Sequence, residues 1–129
     1  MLVVDASSLY YALVRRQRGD AIRRLLASDP DIAAPHLIDV EVLGVIRREF
    51  LFGHLDATAA GIAIDTLRAW PAERHEHRNL LSRAWELRYN VRGWDAMYVA
   101  LAERLDATLI TTDARLARAV GPRCPIELV

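Results

Sequence analysis

The sequence predicts an α/β fold in which a mainly parallel sheet carries helices on both faces. Short β-branched apolar segments alternate along the chain with longer segments whose apolar residues recur at helical spacing. The chain has 129 residues, of which 53% are hydrophobic and 26% charged, enough to close a compact core. It has no internal repeat, low-complexity tract or linker rich in Pro, Gly or Ser. We therefore expect residues 1–129 to form a single domain with right-handed crossovers between its strands.

The first half of the chain contains two predicted strands and four predicted helices. Leu2, Val3 and Val4 form a short apolar strand, which the helical segments ASSLYYALVRR and GDAIRRLLAS follow. DIAAP is the second strand. HLIDVEVLGVIRREFLFG is a long helix ending at Gly53, and DATAAGIAIDTLRAW is a helix with Asp56 as its N-cap.

The second half continues the alternation. AERHEH is ambiguous and fits a polar edge strand. RNLLSRAWELRYN and RGWDAMYVALAERLD are helical, and ATLITTD is a strongly β-branched strand. ARLARAVG is a helix ending at Gly121, and IELV is a last strand.

Composition limits the possible chemistry. Acidic and basic residues balance at 17 each, so the net charge does not indicate strong charge-driven binding to nucleic acid or membranes. All 17 basic residues are arginine, which excludes every mechanism that needs a lysine. Cys124 is the only cysteine, so an intramolecular disulfide is impossible and a reducing cytoplasm is the expected location. The N-terminus does not resemble a secretory signal, and no apolar run approaches membrane-spanning length.

Two aspartates directly follow predicted strands. Asp5 ends the first strand and Asp113 ends TLITT, and each opens a helical segment. Each alone is readily explained as a helix N-cap. Because the carboxyl ends of parallel strands meet at one edge of the sheet, the pair also predicts a shared crevice.

Two further acids lack an obvious partner within their helices. The neighbours of Glu41 at three and four positions before and after it are Leu37, Ile38, Gly44 and Val45, none of which can pair with a carboxylate. An exposed edge, or a distant arginine, would explain Glu41 without any function.

Asp95 lies in the first turn of its helix, where a carboxylate is favoured by about 0.3–1 kcal/mol. That dipole interaction explains Asp95 alone. Four acids at one edge would repel, however, by about 4 kcal/mol for a pair about 4 Å apart at an effective dielectric near 20. Either some stay protonated, or a divalent cation lies among them, and ligands that are all oxygen favour Mg²⁺ or Mn²⁺.

Taken together, VVDASSL, Glu41 and WDAMYVALAERLDATLITTDARL resemble a PIN domain, specifically a VapC-type toxin of a bacterial toxin–antitoxin pair. The resemblance covers essentially the whole chain and implies a PIN-like three-layer sandwich. It also implies a Mg²⁺-dependent endoribonuclease that cleaves RNA phosphodiester bonds, is inhibited by a cognate VapB-type antitoxin and forms a homodimer. The second pair of long apolar helices carries more apolar surface than one small sheet can cover, which also favours a homodimer.

The resemblance also assigns roles to residues. Its acidic quartet falls on four positions, which are Asp5, Glu41, Asp95 and Asp113. Asp5, Asp95 and Asp113 would hold the metal and Glu41 would orient or deprotonate water. Thr111 matches the family's hydroxyl residue in the strand before the last acid, and Ser7 matches the small polar residue after the first acid. Trp94 is a mild departure, because tyrosine or another residue often precedes the third acid in the family. Arginines in or next to the helices that flank the acids are candidates for RNA phosphate contacts, although such residues more often belong to a solvated helix surface: Arg15, Arg16, Arg18, Arg47 and Arg48.

Other functions fit less well. A receiver domain or a haloacid-dehalogenase-type phosphatase needs a lysine, and Ser7 stands where that phosphatase has a second aspartate. No G-x-G-x-x-G follows the first strand, which disfavours dinucleotide binding. His75 and His77 lack a convincing third metal ligand. A non-catalytic domain that binds RNA or a partner, with the acids as structural caps, remains the alternative.

Overall fold

A five-stranded parallel sheet in the order β3-β2-β1-β4-β5 forms the centre of the protein. The structure is a computed structural model that describes residues 1–14 and 17–129. The strands are β1 Leu2–Val4, β2 Ile32–Pro35, β3 Glu73–His75, β4 Thr108–Thr111 and β5 Ile126–Leu128. AERHEH does contain an edge strand, because β3 pairs with β2 and ends the sheet.

Helices flank this sheet and connect its strands. In the described residues they are α1 Ala6–Leu13, α2 Gln17–Ser28, α3 Leu37–Leu51, α4 Ala57–Ala69, α5 Leu81–Glu86, α6 Gly93–Arg104 and α7 Ala114–Ala117, with a 3-10 turn at Arg78–Leu80. The predicted α/β sandwich is confirmed. Among the described helices, none combines the length and the apolar character needed to cross a membrane.

The central strands are buried on both faces, as continuous apolar runs in a parallel sheet require. Val3, Val4, Leu109 and Ile110 have no exposed surface. The α6 helix packs against β1, β2 and β4 and buries Leu101 among them. Burying these side chains supplies the main driving force that holds the carboxyl ends of β1 and β4 side by side.

Local sequence rules place most helix ends correctly. Gly53 adopts a left-handed φ of 79° just after α3, and the Asp56 carboxylate accepts a hydrogen bond of 2.7 Å from the Ala59 N–H at the start of α4. The predicted helices at the end of the chain are too long, because α5 stops at Glu86 and α7 at Ala117. The chain after α7 must turn back to reach β5, and Gly121, at a φ of 112°, provides part of that turn.

Candidate active site

Four acids line one cleft at the carboxyl edge of the sheet. They are Asp5, Glu41, Asp95 and Asp113. The cleft has a volume of about 700 Å³ and lies where β1 and β4 are neighbours while their connections leave in different directions. This is the switch point at which open α/β sheets bind ligands. The four acids come from four separate segments of the chain, so the fold and not local sequence brings them together.

Asp5 is both a helix cap and a member of the cleft. Its side chain is almost buried, with 5% of the residue exposed. One carboxylate oxygen, Oδ1, accepts hydrogen bonds from the Ser8 N–H at 2.8 Å and the Ser7 hydroxyl at 2.9 Å. The other, Oδ2, accepts the Thr111 hydroxyl at 2.6 Å. Three donors offset the desolvation of this carboxylate, so the cap and site interpretations hold together.

Hydroxyl groups connect the first acid to the last. The Thr111 hydroxyl donates to Asp5 and accepts the Asp113 N–H at 3.0 Å, which fixes the spacing of the two strand ends. The Ser7 hydroxyl lies 2.7 Å from that of Thr112. Because Ser7 uses its single hydrogen on Asp5, Thr112 must donate to Ser7. The predicted positions Ser7 and Thr111 therefore lie in direct contact with Asp5.

Glu41 has a partner that its own helix does not provide. The Tyr98 hydroxyl, on α6, donates to the Glu41 Oε2 at 2.5 Å. Burial raises the pKa of Glu41, the negative charges of Asp95 and Asp5 raise it further, and the tyrosine hydrogen bond only partly opposes them. Burial and the Glu41 carboxylate raise the pKa of Tyr98, so this hydroxyl remains a donor. Sequence reasoning missed Tyr98, although its position three residues after Asp95 puts both on one helix face.

The two remaining acids are held by arginines. Burial raises the pKa of Asp95, as do the charges of Asp5 and Asp113, while Arg92, with Nε 3.5 Å from its carboxylate, opposes the rise. Burial also acts to raise the pKa of Asp113, but hydrogen bonds from Arg115 outweigh it and the pKa is lowered. The Arg92 guanidinium also lies 3.6 Å from Asp113. Neither arginine was predicted, because Arg92 reaches Asp113 across two separate elements and the Arg115 contact depends on the turn geometry at the start of α7.

The donor set suits a hard divalent cation. Every candidate ligand in the cleft is a carboxylate oxygen, and burial, followed by mutual repulsion, raises the pKa of Glu41 and of Asp95. Over residues 1–14 and 17–129, however, no three Asp, Glu, His or Cys side chains are already arranged to hold an ion. The residues fit such a cation by their chemistry, while Arg92 and Arg115 now neutralise part of the charge.

The predicted RNA-contacting arginines have different positions. Arg18 and Arg48 line the cleft, and the Arg18 guanidinium donates to the Thr112 carbonyl at 3.3 Å. Arg47 is exposed on α3 and does not line the cleft. Arg15 and Arg16 lie outside the described residues.

His75 and His77, the histidines of the HEH segment, do not line the acidic cleft. His77 instead accepts a hydrogen bond of 2.9 Å from the Leu37 N–H at the start of α3, through its Nε2. This ring therefore serves as a cap for a helix that belongs to the cleft.

Comparison with known proteins agrees with the fold. The family model described as "PIN domain" matches residues 2–122. Ribonuclease VapC1 of Mycobacterium tuberculosis is 40% identical over 128 residues, covering 98% of this chain and 96% of the relative. The VapC ribonuclease Mb0985 of Mycobacterium bovis is 37% identical over 129 residues, covering 100% and 98%.

Solved structures share the fold at lower identity. VapBC2 from Rickettsia felis, bound to a DNA fragment from its promoter, matches with a TM-score of 0.71 and 16% identity, covering 99% of this chain and 98% of that one. Mycobacterium tuberculosis VapC20, a sarcin-ricin-loop-cleaving toxin, matches with a TM-score of 0.68 and 18% identity, covering 91% and 93%. The fold is that of a PIN domain. Since the family model and the curated relatives span nearly the whole chain, the protein belongs to the VapC ribonucleases of the PIN-domain family.

Proposed function

We propose that this chain is the toxin of a VapBC-type pair and an endoribonuclease that hydrolyses RNA phosphodiester bonds in the acidic cleft with the help of Mg²⁺. The observation that carries the proposal is the meeting of four carboxylates from four segments, two of which have a pKa raised by burial and by the others. Such a cluster is costly for a fold unless a ligand of opposite charge compensates it. The names of the similar proteins support RNA as the substrate.

The residues divide the chemistry between them. Asp5, Asp95 and Asp113 would hold the cation. A bound cation would neutralise the negative charge of the phosphate and of the leaving oxygen. Mg²⁺ is the first choice because it needs few carboxylates, and Mn²⁺ has the same preference for oxygen. Glu41, oriented by the Tyr98 hydroxyl, would accept a proton from the attacking water.

Groups around the acids would position the RNA. Thr111 and Ser7 fix the Asp5 carboxylate through their hydroxyls. Arg18 and Arg48 lie on the cleft wall and would contact backbone phosphates, which sets register without reading sequence. Arg15 and Arg47 are proposed for the same role.

Exposed apolar residues and the structural neighbours both support protein partners for this chain. The exposed faces of α3 and α4 carry apolar side chains at Leu43, Phe50, Leu51 and Ile62, which favours a homodimer, an antitoxin contact or both. The structural neighbours include toxin–antitoxin complexes, which supports a VapB-type antitoxin. We also propose a single domain over residues 1–129 in a reducing cytoplasm, consistent with the lone Cys124.

A cleavage assay with a matched capping control tests the proposal. The purified chain is incubated with total RNA in Mg²⁺, in Mn²⁺ and in EDTA, beside Asp5→Asn, Asp95→Asn and Asp56→Asn, with folding checked by circular dichroism. Asp56 is the control because it caps α4 as Asp5 caps α1 but does not line the cleft. We expect metal-dependent cleavage that falls at least about 100-fold in the two cleft variants, a typical effect of removing one catalytic group, and persists in Asp56→Asn.

The alternative is a non-catalytic domain whose acids are caps. It gains some support because Asp5 and Asp113 do cap α1 and α7. It predicts that Asp5→Asn and Asp56→Asn behave alike and that EDTA changes nothing. Cleavage that is absent throughout, or equal in EDTA and in the folded cleft variants, would reject the nuclease.

A further inference from the structure

A second pocket opens beside the acidic cleft and is largely apolar. Its volume is about 520 Å³, within the range of small-molecule sites. It is lined by His36, Leu37, Val40, Glu41, His77 and Trp94. Glu41 and Trp94 also line the acidic cleft, so the two spaces are adjacent and share these two residues.

The topology places this pocket on a defined side of the cleft. His36 directly follows β2 and His77 lies two residues after β3. In the sheet order β3-β2-β1-β4-β5, these strand ends lie on one side of Asp5, while Asp113 lies on the other. A ligand held at the acids therefore reaches the pocket by extending along the carboxyl edge of the sheet toward β3.

The pocket combines an exposed aromatic face with fixed polar groups. Trp94 is 69% exposed although it lies next to Asp95 in the first turn of α6. The His36 and His77 rings pack edge to face, with centroids 6.4 Å apart. Because the Nε2 of His77 accepts the Leu37 N–H, the neutral ring carries its proton on Nδ1 and keeps one donor.

We propose that this pocket binds one unstacked nucleobase of a single-stranded RNA, adjacent to the phosphodiester bond at the acids, with Trp94 as the stacking surface. The inference rests on the proposed ribonuclease function. A neutral, flat heteroaromatic ring matches apolar walls, an open indole and a histidine donor. A second phosphate does not match, because the Glu41 carboxylate forms part of the wall. A base that is stacked and paired within a duplex cannot enter, so the pocket selects single-stranded RNA.

The test separates recognition of the base from recognition of the backbone. The probes are fluorescein-labelled single-stranded oligoribonucleotides of about ten nucleotides, one for each of the four bases, and a ribose-phosphate chain of the same length without bases. Binding to the full chain is measured by anisotropy in EDTA and again in Ca²⁺. The variants are Trp94→Ala, Trp94→Phe and Val40→Asp, which puts a charge on the pocket wall. Trp85→Ala is the matched control, because Trp85 is 68% exposed but does not line either pocket.

We expect at least one base-containing probe to bind more tightly than the abasic chain by about 5- to 150-fold, the range for one base–aromatic stack. Trp94→Ala and Val40→Asp should remove most of this preference without changing abasic binding. Trp94→Phe should keep much of it, and Trp85→Ala all of it.

Several results would overturn the inference. They are equal binding of base-containing and abasic chains, no binding of any probe in either buffer, or equal effects of Trp94→Ala and Trp85→Ala. A change in sedimenting mass in Trp94→Ala with unchanged base preference would show that a protein surface covers the pocket instead. A parallel cleavage assay keeps the two proposals apart. Metal-dependent cleavage without base preference rejects only the pocket, whereas base preference without cleavage rejects only the nuclease.

Discussion

Replacing Glu103 with glutamine should loosen the attachment of the C-terminal turn to the rest of the fold. The Glu103 carboxylate, on α6, receives two hydrogen bonds from Arg83, at 2.6 and 3.0 Å, and one from the Arg123 N–H at 2.8 Å. Arg83 also donates to the Gly121 carbonyl at 2.9 Å. The pair thus joins α5 and α6 to the turn that leads into β5.

The expected magnitude follows from the two arginine bonds. Glutamine keeps the shape but only one acceptor oxygen, so one of the two Arg83 bonds is lost and the other is no longer charge-assisted, at about 1 kcal/mol each. The Glu103 side chain is only 13% exposed, so solvent screens the pair little. We therefore expect Glu103→Gln to lower the free energy of unfolding by about 2 kcal/mol at pH 7.

The same Arg83 provides the control. It also contacts Glu86, at 3.0 Å, but that carboxylate is 61% exposed and lies only three residues away on the same helix. Glu86→Gln should cost less than about 0.5 kcal/mol. Urea denaturation followed by circular dichroism measures both variants against the parent chain.

The dependence on pH gives a second check. Burial acts to raise the pKa of Glu103, but the hydrogen bonds from Arg83 and the Arg123 N–H outweigh it and lower the pKa. A lowered acid pKa stabilises the fold above the unfolded value of about 4.3 and ceases to do so as pH falls through the folded value. The gap between parent and Glu103→Gln should therefore close in acid. An effect of Glu86→Gln as large as that of Glu103→Gln, or a gap unchanged below about pH 3, would refute this reasoning.

Two further predictions concern helix packing and the cleft. A methyl group at Gly19 would lie 2.0 Å from the Tyr11 carbonyl oxygen, so Gly19→Ala should lower the free energy of unfolding by about 2 kcal/mol or more in urea melts. Gly61 has open space around it, so Gly61→Ala should raise the free energy of unfolding by up to about 1 kcal/mol. Equal effects of the two substitutions would show that α1 and α2 do not pack this closely. Because the pKa of Glu41 is raised by burial and by neighbouring acids, its ionised form weakens the fold as pH rises above about 4.3. In EDTA at pH 7, Glu41→Gln should thus be more stable than the parent in urea melts, and the gain should vanish near pH 4. In Mg²⁺ the same variant should lose cleavage; a less stable variant at pH 7 would mean that the Tyr98 bond outweighs burial and repulsion.

The sequence was sufficient for the order of the elements but not for all their lengths. Alternating β-branched and helical segments predicted the parallel sheet, because only a sheet covered on both faces buries such strands. The predicted lengths of α5 and α7 were too long, because the apolar periodicity of the sequence continues beyond Glu86 and Ala117, where these helices end. There the backbone turns for tertiary reasons, to bring α6 and β5 into place, and local propensity does not report that requirement.

The candidate site was predictable where it depends on strand ends and unpredictable where it depends on distant partners. The shared location of Asp5 and Asp113 was predictable, because the carboxyl ends of parallel strands lie at one edge of the sheet. Glu41 was recognisable as a carboxylate without a helical partner, yet its actual partner, Tyr98, lies 57 residues away in sequence. Arg92 was missed for the same reason, because its contact with Asp113 spans two separate elements.

The four acids are not held equally, and this difference indicates how the cleft can be stable without a ligand. Asp5 has three hydrogen-bond donors from the fold, so its charge is compensated in any state of the cleft. The Asp95 carboxylate has Arg92 at 3.5 Å, but that side chain is 69% exposed and solvent screens it. Burial and two like charges still leave the pKa of Asp95 raised. Asp5 is therefore a fixed element of the site, whereas Asp95 and Glu41 carry the uncompensated part of the charge, and a bound cation would stabilise the fold mainly through them.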